Sequence, residues 1–84
     1  MKKCMITFRS VTPAQRAESV LKRSGIRCGL RRTPRWMEEQ GCGYSVQLSG
    51  EDVPEAVRLL TEEQIPFRKA YLLREGSRPE ELRL

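Results

Sequence analysis

The 84-residue chain contains no histidine, and so lacks the side chain that most readily exchanges protons near neutral pH and most often ligates transition metals. Ser/His/Asp triads, Cys/His dyads and histidine-bound metal centres are excluded. Aromatic residues are scarce, with one Trp, two Tyr and two Phe. The three cysteines, Cys4, Cys28 and Cys42, include no CxxC pair. An odd count completes no disulfide framework, and three thiols fall short of the four ligands of a structural zinc site. Unpaired thiols point to a reducing, cytoplasmic setting. The apolar stretch after Met1-Lys2-Lys3 is broken by Arg9, and no later run approaches the roughly 20 residues of a membrane span. Neither export nor membrane insertion is expected.

What is present fits one small domain, since domains usually take about 100–200 residues. Leu, Ile, Val and Phe together number nineteen, enough for a thin core and above the composition of disordered chains. The net charge of +5 is unevenly placed. Residues 1–35 carry ten basic groups against the single acid Glu18, whereas residues 36–84 carry six basic and ten acidic groups. Such a polarised field can steer anions to one surface or hold two copies head to tail.

Along the chain, Cys4, Ile6 and Phe8 alternate with Met5, Thr7 and Arg9, which predicts a first strand. Thr12 as N-cap, Pro13 at the first helical position and Gln15 closing a capping box predict a helix start. Ala14, Ala17, Val20 and Leu21 supply its apolar face, and Gly25 its left-handed stop. Ile26, Cys28 and Leu30 mark the inward side of a second strand. Residues 32–42 form a long connection, and Tyr44, Val46 and Leu48 mark a third strand. Asp52, Glu55 and the helical spacing of Val53, Ala56, Val57 and Leu60 predict a second helix, ended by Pro66. A fourth strand runs from Phe67 to Leu73, with either Phe67/Tyr71/Leu73 or Ala70/Leu72 facing inward. Residues 1–74 make the domain, and residues 75–84 a short tail that forms one helical turn or frays.

A repeat underlies this order. Ala17, Leu21 and Ile26 recur 39 residues later as Ala56, Leu60 and Ile65, while Ile6 and Phe8 match Val46 and Leu48 at an offset of 40. Two βαβ halves predict an α+β, ferredoxin-like split βαβ sandwich (βαββαβ), a four-stranded antiparallel sheet with two helices on one face.

The connection from the second to the third strand, Arg31 to Gly43, is longer than the roughly 2–5 residues of an ordinary hairpin loop. Cys42 sits between Gly41 and Gly43, which remove side-chain cover from the sulfur. Arg31, Arg32 and Arg35 lie within a dozen residues, and nearby positive charge favours thiolate over thiol. The same Gly-Cys-Gly could equally form a tight start to a strand with a buried thiol. Cys4 and Cys28, on inward positions, read as small core hydrophobes. Trp36 reads either as a lid over the core edge or as an anchor for a partner. The Glu38-Glu39 pair reads as solvent-facing charge.

Several stretches resemble the small bacterial selenium/sulfur carrier-like proteins. These are Thr7-Phe8-Arg9-Ser10 leading into a helix with Ala14 and Glu18, then Val20-Leu21-Lys22 with Gly25-Ile26, then Pro34-Arg35, then Cys42-Gly43. The resemblance covers roughly the first half of the chain. Two departures are Glu38-Glu39-Gln40-Gly41, where a serine-rich approach is expected, and an Arg-to-Cys spacing about one residue longer. The resemblance implies carriage of sulfur or selenium as a persulfide or selenopersulfide on Cys42, with Arg35 and Arg31 or Arg32 stabilising the anion. It implies a desulfurase-like donor protein and an acceptor protein. Such a carrier is not an enzyme and uses no metal and no cofactor.

The alternative is a non-catalytic basic interaction module, either a homodimeric regulatory domain or a weak RNA binder. An open sheet face bearing Met5, Thr7, Arg9, Ser45 and Gln47 lacks the aromatic platform of RNA-recognition sheets, which argues against nucleic acid. Met5, with Ala70 or Leu72 exposed beside it, would favour covering of that face by a second copy.

Overall fold

The computed structural model describes residues 2–33, 43–73 and 80–82. In chain order these form β1 (Lys3–Phe8), α1 (Val11–Arg23), β2 (Cys28–Arg32), β3 (Tyr44–Ser49), α2 (Val53–Glu62), β4 (Ala70–Leu73) and β5 (Glu80–Leu82), with a single 3-10 turn, Gly50–Asp52, leading into α2. All neighbouring strands are antiparallel, in the order β2-β3-β1-β4-β5. β1 and β2 both run against β3, so they are parallel to each other and joined by α1. β3 and β4 both run against β1 and are joined by α2. The first four strands are thus two interleaved βαβ units, compatible with the ferredoxin-like arrangement expected. The expected four strands are corrected to five. Residues assigned to a helical or frayed tail supply β5, which pairs Leu82 with Ala70 and packs Leu82 against the core.

One face of the sheet and both helices share a single apolar core. Cys4, Ile6 and Phe8 stand beside Val46, Leu48, Ala70 and Leu72, and Ala14, Ala17, Leu21, Ala56 and Leu60 close over them. The small alanines bring the helices close to the sheet, so large side chains such as Phe8 and Ile6 fill the remaining space. Each contributes about 1.5–3 kcal/mol by leaving water. Ala70 and Leu72 face inward, which settles the two-way reading of β4. β4 also begins later than expected. Thr7 N–H donates to Lys69 O at 2.7 Å and Arg68 N–H donates to Thr7 O at 2.8 Å, while Thr7 Oγ1 accepts from Lys69 N–H. Two residues therefore oppose one, a bulge that interrupts the ladder below Ala70.

The outer face differs from expectation. Met5 is only 2% exposed, and Thr7 and Ser45 are buried as well. The apolar side chains on which a sheet-to-sheet dimer would draw are therefore buried within the chain. Tyr71 stands beside Met5 on this outer face, so the face carries an aromatic side chain, although one alone is short of a base-stacking platform.

Helix ends show the repeat in backbone terms. α1 begins after Ser10 rather than Thr12, and no side chain caps it. Pro13 is tolerated in the first turn because N–H groups there have no helical partner. At the other end, Ile26 N–H donates to Leu21 O at 2.9 Å and Gly25 N–H to Lys22 O at 3.1 Å, with Gly25 at φ 84°. This is a Schellman stop. Thirty-nine residues later Ile65 N–H donates to Leu60 O at 2.9 Å and Gln64 N–H to Thr61 O at 3.1 Å, with Gln64 at φ 56°. The same device therefore ends α2, before Pro66 is reached, but with a side chain where the first copy has glycine.

α1 also guards the sheet. β2 is an edge strand, and Glu18 Oε2 accepts its Leu30 N–H at 2.8 Å. Lys22 Nζ lies 3.5 Å from the same oxygen.

Stability changes at three positions are expected from urea unfolding. Gln64→Gly relieves a left-handed conformation costing about 1–2 kcal/mol against a glycine entropy loss of about 0.5–1, a net gain of roughly 0.5–1 kcal/mol. Gly25→Ala loses a similar amount, since nothing lies within 4 Å of the added Cβ and only the backbone objects. Glu18→Ala strands the Leu30 N–H and loses about 1–3 kcal/mol, whereas Glu18→Gln keeps an acceptor and loses less. Equal losses in the two Glu18 variants would show that the hydrogen bond contributes nothing.

Candidate functional site

The connection between β2 and β3 is closed at its foot by one backbone bond, from Thr33 N–H to Gly43 O at 2.9 Å. Thr33 and Gly43 are both buried. The foot is braced on the next pair, where Ser45 Oγ donates to Arg31 O at 3.3 Å. A fully buried serine in the middle of the sheet thus satisfies its hydroxyl on the backbone of the neighbouring strand, as a buried polar group must. Pro34, Arg35, Trp36, Gly41 and Cys42, the centre of the expected site, lie outside the described residues. Cys42 is bonded directly to Gly43, so the anchored foot and the expected sulfur carrier are adjacent in the chain.

The two described arginines do not act as a pair. Arg31 stands opposite Ser45 and Arg32 opposite Tyr44, and successive side chains of a strand leave on opposite faces. Arg31 therefore projects on the outer face with Met5 and Thr7, and Arg32 on the helix side with Tyr44. Both are exposed. A single anion can face one of them directly, not both.

The other cysteines are committed elsewhere. Cys4 is buried in the core, and burial pushes its thiol above the ordinary range, with Lys2 opposing only in part. Cys28 is half-buried, its Sγ donating weakly to Glu18 O at 3.8 Å. Burial and then the Glu18 carboxylate raise its pKa, while Lys22 opposes. Both are protonated at neutral pH, as their inward placement implied. Of the two buried hydroxyls without a partner among the described residues, Thr33 Oγ1 lies at the foot of the connection and Ser49 Oγ at the far end of β3.

The sequence reading missed the structural role of Glu18 at the edge of β2. Its signal was present, as the lone acid among ten basic residues. The reading also passed over Gly29, a glycine inside a strand with an arginine two residues to either side.

No described helix is long and apolar enough to cross a membrane. A family model described as "Putative Se/S carrier protein-like" matches residues 3–72. The match takes in β1 to β4 and both helices and stops short of β5. No curated protein and no solved structure matches the chain.

Thiol reactivity follows from the raised pKa values of Cys4 and Cys28. With iodoacetamide at neutral pH, both are expected to alkylate more slowly in the folded than in the urea-unfolded chain, because burial lowers the thiolate fraction and covers the sulfur. Mass spectrometry of timed digests checks this. The fold favours both groups protonated, so stability should be fully present below the ordinary thiol value of about 8.5 and decline as pH rises through it toward the raised values. Cys4→Ala should flatten that decline.

Proposed function

The chain belongs to the Se/S carrier-like family, and on that premise we propose that it carries sulfur or selenium as a persulfide or selenopersulfide on Cys42. The observation that carries this reading is the family match over residues 3–72, which includes the β2–β3 connection. The state of the other thiols supports it. Cys4 and Cys28 are favoured as thiols by burial, which makes either a poor nucleophile for persulfide exchange. The scaffold is read as a ferredoxin-like split βαβ sandwich extended by β5.

The chemistry is thiol exchange without net oxidation. The Cys42 thiolate attacks the outer sulfur of a donor's persulfide. A new S–S bond forms on Cys42, the donor's S–S bond breaks, and the donor departs as thiolate. An acceptor thiolate then attacks the outer atom on Cys42, takes it, and returns Cys42 to the thiolate. Selenium follows the same path through an S–Se bond. Nearby guanidiniums lower the energy of the anionic forms on both sides of the exchange, a role assigned to Arg35 together with Arg31 on the outer face or Arg32 on the helix side. No acid/base pair is needed, which suits a chain without histidine. The protein is a carrier rather than an enzyme, and its partners are a desulfurase-like donor and an acceptor protein in the cytoplasm.

Incubation with a cysteine desulfurase and 35S-cysteine tests the reading. The expected result is one reducible sulfur on Cys42, seen by mass spectrometry, and its loss in Cys42→Ser. Label shared equally with Cys4 and Cys28, or absent altogether, overturns it. Arg35→Ala should lower the loading rate by about tenfold, on the scale of one charge-assisted interaction.

A further inference from the structure

A second feature of β2 lies apart from the cysteine. On the outer face a groove of about 670 Å³ is lined by Lys2, Lys3, Arg27 and Arg31, with Glu51 and Asp52 also at its margin. None of the four cations forms an ion pair with another described residue, whereas Arg58 on α2 is engaged by both Glu55 and Glu62. Ser49 Oγ, buried and without a partner among the described residues, belongs to the same lining.

Gly29 is the feature that gives the groove a meaning. It lies in β2 two residues before Arg31 and two after Arg27, which immediately precedes the strand, and all three line the groove. Glycine weakens a strand interior and is kept where a backbone must bend or where another chain approaches closely. Gly29 has no left-handed φ, and a Cβ added to it meets nothing within 4 Å. Neither backbone nor packing requires glycine there. It leaves a gap between two arginines four residues apart in the chain, a separation of at most about 13–14 Å.

We propose that this groove receives an extended acidic segment of a partner polypeptide, its carboxylates on Arg27 and Arg31 and its backbone over Gly29. An extended chain repeats its side chains on one side every second residue, so acids four residues apart match the spacing of the two guanidiniums. The edge of β2 is a poorer dock, because Glu18 already occupies the Leu30 N–H. Glu51 and Asp52 repel a uniform polyanion such as a nucleic-acid backbone, whereas an acidic peptide ending in a base satisfies both signs. Identifying the owner of that segment as the chalcogen donor or acceptor rests on the carrier reading; the groove itself does not.

The test is fluorescence anisotropy at low salt with a fluorescein-labelled peptide of alternating Glu and Ser carrying one terminal Lys, and with a labelled oligouridylate for comparison. All variants are made in Cys42→Ser, so failure of sulfur loading leaves this result untouched and a failed titration leaves the loading experiment untouched. Saturable peptide binding is expected, weakened about tenfold or more by Arg27→Ser with Arg31→Ser. Arg16→Ser with Arg23→Ser, the same charge change on α1, should leave it within about twofold, since it alters the net charge equally but touches no residue of the groove. Gly29→Val is decisive, because it should raise the urea midpoint of unfolding and still weaken binding about tenfold. The proposal is overturned by unsaturable binding, by an equal loss in the α1 control, by full binding in Gly29→Val, or by tighter oligouridylate binding through the same arginines.

Discussion

The bond from Leu30 N–H to Glu18 ties α1 to the outer edge of β2, the strand that leads into the β2–β3 connection. An edge strand offers unpaired N–H groups that either recruit another strand or must be covered. Here a carboxylate from α1 takes one of them at 2.8 Å, while Lys22 keeps that carboxylate from being an isolated negative charge. The effect reaches both ends of the strand. Toward the start, Cys28 lies against the same helix residue, its Sγ 3.8 Å from Glu18 O and its pKa raised by burial and then by the Glu18 carboxylate. Toward the end it fixes Thr33, whose N–H closes the connection to β3. A single acid among ten basic residues would be a weak participant in surface electrostatics; as the acceptor for an edge amide it determines the register of α1 against the sheet.

How much of this was legible in the sequence depends on whether a residue acts through its neighbours in the chain or across the sheet. The alternation of Cys4, Ile6 and Phe8 and the helical spacing of Ala14, Ala17, Val20 and Leu21 correspond directly to the buried cluster, because burial on one face imposes those periods. The offset of 39 between Ile26 and Ile65 likewise emerged as two copies of one helix stop. That Gln64 takes the left-handed position was not legible, since nothing local favours glutamine there; the buried Leu60 and Ile65 on either side hold the backbone in place. The Thr12 cap failed for a related reason: Ser10 already has the extended backbone of a cap, and the chain leaving β1 turns there first. β5 was missed because Glu80-Glu81-Leu82 has no strand pattern of its own. Its pairing depends on Ala70 being small and on Lys69, which reaches Glu81 at 3.1 Å.

The outer face shows most clearly what one-dimensional reading cannot supply. Alternation alone places Met5, Thr7 and Ser45 toward solvent, yet all three are buried. Two of them are explained by polar bonds within the sheet: Thr7 is bound to the bulge at Lys69 and Ser45 to Arg31 O. A face that consumes its own hydroxyls in this way has little left to offer a general ligand at its centre. The rim differs, because there Arg31 forms no ion pair among the described residues.

That difference bears on how charge is divided in the molecule. On α2 acid and base meet within the helix, where Arg58 bridges Glu55 and Glu62 and holds the Glu55 carboxyl below its ordinary range. Around the groove, by contrast, Lys2, Lys3, Arg27 and Arg31 form no ion pair among the described residues. Self-repulsion among them costs stability, and a small domain with a thin core has little to spare. The same holds for Gly29, where almost any β-forming residue would strengthen the strand. Two independent features of the groove, cations unpaired among the described residues and a missing side chain at Gly29, thus both work against the fold at the same place. A fold accepts such losses where another molecule supplies the compensating contacts, and the compensation required here is anionic, extended and close to the backbone.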